Sequence, residues 1–269
     1  MTITCSIIGI ILLILLLGKT SMHFKFKKQV SELLENAETL SDKIYNSSQL
    51  TGLPYPVQQY FKYALKDGQH YISSVQLEHK GLFKTNLKKE YITITGEEYF
   101  SVQPPQFIWK GTTSMFTAID SYIADIGNLK VSIMNIFTAV DGKGITFNEA
   151  ELQRWVSESV WFPTNLLPSE KIQWSALNTD TAKLSFSYKE VSFDYIVTFN
   201  EAGQIVAMET QRFMTVAKRE KWICRMSNYK EIDNIKIPFA AEASWKLYTG
   251  NHSYAKFEIQ KIAYNKNHF

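Results

Sequence analysis

The stretch Leu184-Ser185-Phe186-Ser187-Tyr188-Lys189-Glu190-Val191-Ser192-Phe193-Asp194-Tyr195-Ile196-Val197-Thr198-Phe199-Asn200-Glu201-Ala202-Gly203 decides the architecture. Leu184, Phe186 and Tyr188 alternate with serines, and Val191, Phe193, Tyr195, Val197 and Phe199 alternate with Ser192, Asp194, Ile196 and Thr198. Successive side chains of a strand point to opposite faces, so a period of two marks strands with one buried face. Asn200-Glu201-Ala202-Gly203 is a turn, and Ile205 and Ala207 open the next strand. Short turns between such strands require antiparallel neighbours.

The same plan recurs outward. Ala241, Ala243, Trp245 and Leu247 lead into Gly250-Asn251, then Phe257 and Ile259; Lys80-Gly81 and Asp141-Gly142-Lys143-Gly144 are further turn signals. From Ile72 onward the expectation is therefore a mainly β (α+β) body, a strongly curved antiparallel sheet or half-barrel with a few covering helices. Two helices stand out. Pro56 suits a first helical turn, with Val57, Tyr60, Phe61, Ala64 and Leu65 on one face and Gly68 as the C-terminal cap. Asn148 with Glu151 three residues later reads as a capping box, which predicts a helix over Glu149–Trp161 stopping before Pro163.

The first 18 residues carry no charge, and Ile7–Leu17 is apolar apart from Gly9. Eighteen helical residues rise roughly 27 Å, close to the hydrocarbon thickness of a bilayer. No basic residue precedes the run, and Gly18-Lys19-Thr20 is a poor cleavage site, so an uncleaved single-pass anchor over residues 1–18 is expected. Lys19, Lys25, Lys27 and Lys28 all follow it, which places the body on the cytoplasmic side; the reverse orientation would put it in the periplasm or outside. Val30, Leu33, Ala37, Leu40 and Ile44 then follow a 3-4-3-4 spacing. The expected division is anchor 1–18, juxtamembrane amphipathic helix 19–50 and a single β-rich domain 51–269. The seam either packs on its own domain or joins two copies into a homodimer.

Of the 29 basic residues four lie before Ser31, while all 26 acidic ones lie after it, leaving the body 25 basic against 26 acidic. The net charge of +3 is thus a lysine cluster beside the apolar run, which fits anionic headgroups and gives no support to nucleic-acid binding. HExxH, CxxC, GxSxG and GxGxxG are absent, and His23, His70, His79, His252 and His268 lack metal-ligand spacing, so neither metal nor cofactor is expected. Cys5 and Cys224 lie too far apart in kind, one in the anchor and one in the body, to form a stabilising disulfide; Cys224 alternates with Trp222 and Met226 as a packed thiol.

Candidate chemistry centres on Arg154 and Glu158, which share a helix face at four residues' spacing. They read either as a surface ion pair or as a carboxylate held by Arg154 in a cleft, where nearby Trp155 and Trp161 would desolvate it and raise its pKa. Asp120 offers a second carboxylate beside Tyr122. The dispersed aromatics read as β core, or as the lining of an apolar cavity, with Trp109, Tyr122, Trp155 and Trp161 as candidate ligand contacts.

Leu53-Pro54-x-Pro56-Val57-x-x-Tyr60-x-x-x-Ala64-Leu65 and Arg154-Trp155-x-x-Glu158-x-x-Trp161-x-Pro163-Thr164 resemble the motifs of an uncharacterised bacterial family, often membrane-anchored and known only as a domain of unknown function. Phe107-Ile108-Trp109, Asp120-Ser121-Tyr122, Arg212, Trp222 and Trp245 extend the resemblance from about Leu53 to Tyr264. Gln59 and Asn165 depart from it, where the family tends to carry Arg and Ala. The resemblance implies a fold similar to lipoprotein-carrier half-barrels and supplies no reaction. The functional expectation is a membrane-anchored, non-catalytic domain binding an apolar or lipid-like ligand. A hydrolase-like enzyme using Glu158 and Asp120, with Arg154 orienting them, and a dimerisation module stand as alternatives.

Overall fold

The computed structural model describes residues 2–40, 42–134 and 136–265, and of residues 2–12, 14 and 15 the backbone alone. Helix α1 (Thr2–Glu35) leads to an irregular segment, a 3-10 turn at Ser47–Leu50 and helix α2 (Tyr55–Ala64). Six strands follow, β1 (Ser74–Phe83), β2 (Ile92–Ser101), β3 (Gln106–Thr112), β4 (Phe116–Ile123), β5 (Ile126–Ile133) and β6 (Phe137–Lys143). Helix α3 (Ile145–Glu158) and 3-10 turns at Ser159–Trp161 and Pro163–Leu166 separate them from a second series. That series is β7 (Ile172–Ala176), β8 (Thr181–Tyr188), β9 (Val191–Phe199), β10 (Ile205–Thr215), β11 (Lys218–Ile232), β12 (Ile235–Leu247) and β13 (Gly250–Tyr264).

All thirteen strands form one antiparallel sheet, curved and unclosed. Strands β6 to β1 lie in reverse chain order, β1 pairs with β13, and β13 to β7 continue to the far edge. The register slips at Glu78/His79, Val131/Ser132, Ile205/Ala207, Phe213/Thr215 and Ala243/Ser244. An extra residue on one strand bends it and increases its twist, which gives so long a sheet the means to curl instead of lying flat.

Helix α3 lies in the concavity and is tied to both arms. The Trp155 indole N–H donates to Ser101 O of β2 at 3.1 Å, and Tyr195 of β9 donates its hydroxyl to Gln153 O at 2.7 Å. Gln153 Nε2 donates to Gln211 O of β10 at 2.9 Å. The main core gathers Phe100, Phe107, Trp155, Phe162, Phe186, Tyr195 and their neighbours between helix and sheet. Helix α2 buries Val57, Tyr60, Phe61 and Ala64 in the same core, with Pro56 in its first turn as expected.

Three boundaries differ from the sequence reading. Helix α3 begins at Ile145 behind Gly144, whose φ of 122° favours glycine. Asn148 lies inside the helix, and its Oδ1 accepts the Gly127 N–H at 2.8 Å, a tertiary bond that a local motif cannot foresee. Helix α2 ends at Ala64 with Leu65 as its cap, and Gly68 (φ 88°) serves a separate turn in which its N–H bonds Tyr45 O at 2.9 Å.

Helix α1 stops at Glu35, so no helix continues to residue 50. Glu38 N–H bonds Gln103 O at 2.7 Å and Leu40 N–H bonds Ser73 Oγ at 2.7 Å, so contacts with the β2–β3 turn and the residue before β1 replace helical ones. Of the seam, Val30 and Leu33 dock with Phe26 onto Tyr99 and Ile108 on the outer face of β2 and β3, while Ile44 is exposed. The expected membrane segment falls mostly on residues 1–12, 14 and 15, whose side chains lie outside the described residues. Among the described residues no helix is long and apolar enough to cross a membrane.

Candidate functional site

Helix α3 presents Arg154 to the facing strands, and three carboxylates converge on its guanidinium. Nε donates to Glu158 Oε1 at 2.8 Å, Nη1 to Asp120 Oδ2 at 2.7 Å and Nη2 to Glu98 Oε1 at 2.7 Å. The spacing of four residues supplies Glu158, β4 supplies Asp120 and β2 supplies Glu98. The guanidinium also lies over the rings of Phe107 at 4.9 Å and Trp109 at 5.1 Å, a face that arginine prefers because its planar charge is weakly hydrated. One turn earlier on α3, Glu151 accepts from Arg212 Nη2 of β10 at 3.4 Å, and Arg212 Nε donates to Ala150 O at 3.2 Å.

Four acids therefore meet two arginines in a buried place. Burial pushes the Glu98 carboxyl well above the usual range, against the pull of Arg154. Burial and then the Asp120 charge do the same to Glu151, and burial raises Glu158 against Arg154. Burial alone would lower Arg154, but Glu158, Glu98 and Asp120 outweigh it and hold the guanidinium charged. Treated as ionised, Asp120 Oδ1, Glu151 Oε2 and Glu158 Oε2 are buried with no donor. The Glu98 carboxyl faces Glu158, and Glu151 faces Asp120. Facing carboxylates can bond each other only when one of them keeps a proton. A proton held between the members of each pair would give those oxygens a donor and balance the two guanidiniums.

Beside this cluster Trp109 Nε1 donates to His79 Nε2 at 2.7 Å. The accepting nitrogen must be unprotonated, so His79 is neutral with its proton on Nδ1. Burial, then the Arg154 charge, pushes its pKa down to about 3. The imidazole stacks on Phe257 at 4.1 Å and fills the space that a Cβ on Gly96 would need.

The cluster forms the inner end of a cavity of about 850 Å³ lined mainly by apolar side chains. Its inner wall includes Trp109, Asp120, Arg154, Glu158 and Trp161, and its outer part Ile133, Val140, Met214 and Val216. A volume of this size is within the range of small-molecule sites. Cys224 also lines it, with Sγ 3.7 Å from Ser157 Oγ, and burial pushes that thiol up to about 12, where it is unreactive.

Of the residues singled out in the sequence, the structure brings Arg154, Glu158 and Asp120 onto one guanidinium and puts Trp109 and Trp161 on the cavity wall. Trp155 and Tyr122 lie elsewhere. Trp155 packs against Phe162 and Phe186 in the solid core, and Tyr122 is 2% exposed with its hydroxyl 3.5 Å from Asp125 Oδ1. Sequence spacing gave them neighbours along the chain, whereas the direction of each side chain follows from how α3 and β4 sit in the sheet. Glu98, Glu151, Arg212 and His79 were missed as site residues. Glu98 had a readable signal, since Ile94, Glu98 and Phe100 share one parity along β2 and the face of that parity is buried.

Residues 43–257 match the family of unknown function DUF6544. The protein belongs to that family. The match takes in α2, α3, the strands as far as Phe257 in β13 and every residue of the site just described. No curated protein matches the sequence. Among solved structures, the chain is similar to a domain from Vibrio parahaemolyticus described as an outer membrane lipoprotein-sorting protein domain. The TM-score is 0.44 at 8% identity, over 83% of this chain and 95% of the other. A LolA superfamily protein from Nitrosomonas europaea aligns with a TM-score of 0.40 at 6% identity, over 78% and 92%.

Proposed function

We propose that this domain binds an apolar or lipid-like ligand without catalysis, and that residues 1–18 anchor it in a membrane. The supporting observation is the cavity of about 850 Å³, whose lining is mainly apolar, with the Arg154 cluster, Glu242 and a few hydroxyl side chains as its polar members. Burying acyl surface there gains roughly 25 cal/mol per Å². The cluster pairs its charges internally, so it sets the inner end without demanding an ion from the ligand. The uncharged run followed by Lys19, Lys25, Lys27 and Lys28 supports the anchor and a body on the cytoplasmic side.

Native mass spectrometry with lipid extraction, on the full chain purified from its own membrane, tests the ligand. A co-purifying lipid is expected, and Ala118→Trp, which projects an indole into the cavity, should remove it while the fold survives. A wild-type chain that carries no lipid and binds no fluorescent acyl probe would end the reading. Carboxy-terminal fusions to alkaline phosphatase and to a fluorescent protein test the side of the membrane.

An enzymatic reading has one observation in its favour, the raised Glu158 carboxyl on the cavity wall, a general-acid arrangement. Turnover of an ester or glycoside panel that Glu158→Gln abolishes without unfolding would establish it.

A further inference from the structure

The turns of an antiparallel meander fall alternately at its two ends, and here the ends differ. At one end stand the β3–β4 turn with Met115, the β5–β6 turn with Met134 and Ile136, and the start of β6 with Phe137. Met134 N–H bonds Met115 O across the first two turns at 3.5 Å, so they form one surface. The β10–β11 turn adds Met214 and Val216, which line the same cavity as Ile133 and Val140. These side chains are left in solvent, Phe137 at 67% and Val216 at 74%. Single exposed apolar residues are ordinary, but a contiguous rim around a cavity mouth is an interaction surface. Turns at the other end carry Asp125, Glu201 and Asp233, with Ile126, Ile145 and Leu177 as dispersed exposed aliphatics, and the curl of the sheet brings Asp125 against Lys189 of the β8–β9 turn.

Helix α1 identifies what the rim meets. Its Glu35 end lies near Gln103, since Glu38 bonds Gln103 O, and Phe26 lies under Lys110 Nζ at 4.3 Å. The helix therefore runs along β3 from its Gln106 end to its Thr112 end, and its apolar N-terminal part leaves the sheet on the side of the Met115 turn. From Phe26 back to Gly18 it rises roughly 12 Å. From Lys110 the strand advances roughly 7 Å to Thr112 and then enters the turn. Leu13, Leu16 and Leu17 on that part of the helix are exposed. The β1–β2 loop at the same end holds Lys84, Lys88 and Lys89 against Glu90, a basic fringe suited to anionic headgroups.

We propose that the hairpin tips around Met115, Phe137 and Val216 dock on a lipid bilayer, so that the cavity opens directly onto the membrane that α1 enters. A ligand would then pass between bilayer and cavity without crossing water. This rests on the membrane part of the proposed function and adds the surface and the direction of access.

The test uses the full chain with Cys5→Ser, reconstituted in vesicles of phosphatidylcholine and phosphatidylglycerol. Nitroxide labels are placed at Met115→Cys, Phe137→Cys and Val216→Cys, and at Ala124→Cys and Ala202→Cys on the opposite end. The expected result is a reversal of collision rates, with oxygen favoured over an aqueous nickel chelate at the first three sites and the chelate favoured at the other two. Chelate access at all five sites overturns the proposal. Protection of the tips accompanied by spin–spin broadening between copies also overturns it, since a second chain would then cover the rim. Lipid co-purification is scored separately. Tips in lipid with no bound lipid leave the surface standing and sink the ligand reading, whereas bound lipid with tips in water does the reverse.

Discussion

At its inner end the cavity is closed by Arg154, Glu158 and Asp120; at its outer end it is framed by Ile133, Val140 and Val216. The charged groups are the buried ones and the aliphatic groups are the exposed ones, the inverse of the distribution that folding alone favours. The inner end tolerates this because Arg154 pairs with Glu98, Asp120 and Glu158, Arg212 pairs with Glu151, and burial holds the three glutamates toward their neutral form. The outer end has no such internal compensation. Its apolar surface gains only by meeting something outside the domain. Stability should therefore respond to the inner end, and association to the outer one.

The largest effect is expected from Arg154→Ala, which leaves Glu98, Asp120 and Glu158 buried without their shared cation. A loss of about 3–5 kcal/mol is expected, read as a shift in the denaturant midpoint. Arg212→Ala removes one long contact to Glu151 and one to a backbone carbonyl, and should cost less, about 1–3 kcal/mol. Equal losses would show that the cluster is not organised around Arg154.

The protons themselves sharpen the comparison. Glu98, Glu151 and Glu158 have folded-state pKa values above the ordinary 4.5, so the folded protein binds more protons than the unfolded chain above that pH. Stability from these groups is full below the ordinary value and is lost as pH rises through the raised ones. The slope is about 1.4 kcal/mol per pH unit for each proton retained. Melting temperature should fall as pH rises above 5, and Glu98→Gln, which keeps both an acceptor and a donor, should flatten that fall. A melting temperature that rises with pH over this range would contradict the shared-proton arrangement.

The smallest effect on folding is expected at the rim. Phe137→Asp and Val216→Asp alter exposed side chains and should change stability by no more than about 0.5 kcal/mol. The same variants should raise nickel-chelate access at a nitroxide on Met115→Cys in the vesicle-reconstituted full chain, read by the collision assay. A large melting shift in either would mean that the rim packs against the chain itself.

Much of this was legible in the residues. The period of two from Leu184 to Phe199 specified paired strands, and the buried face of α2 followed from Val57, Tyr60, Phe61 and Ala64. Arg154 and Glu158 could be joined because helix geometry alone puts residues four apart side by side. Their burial, and the arrival of Asp120, Glu98, Glu151 and Arg212, could not. Glu151 shares α3 with Arg154, but Glu98, Asp120 and Arg212 come from three strands whose meeting with that helix depends on how the sheet curls.

The two local misreadings have the same origin. Asn148 has the composition of a cap, but its side chain bonds Gly127 on β5. Trp155 stands beside the site in sequence and points into the core, held by Ser101 of β2.

By itself the sequence determined the strands, their turns, the apolar N-terminal run and one ion pair, because each of these is a relation between residues a few positions apart. The tertiary structure decided that α3 fills the concavity, that four carboxyls gather on two arginines, and that the cavity mouth lies at the end of the sheet from which α1 departs. Those are relations between residues tens to more than a hundred positions apart, set by bulges and strand twist that accumulate over thirteen strands.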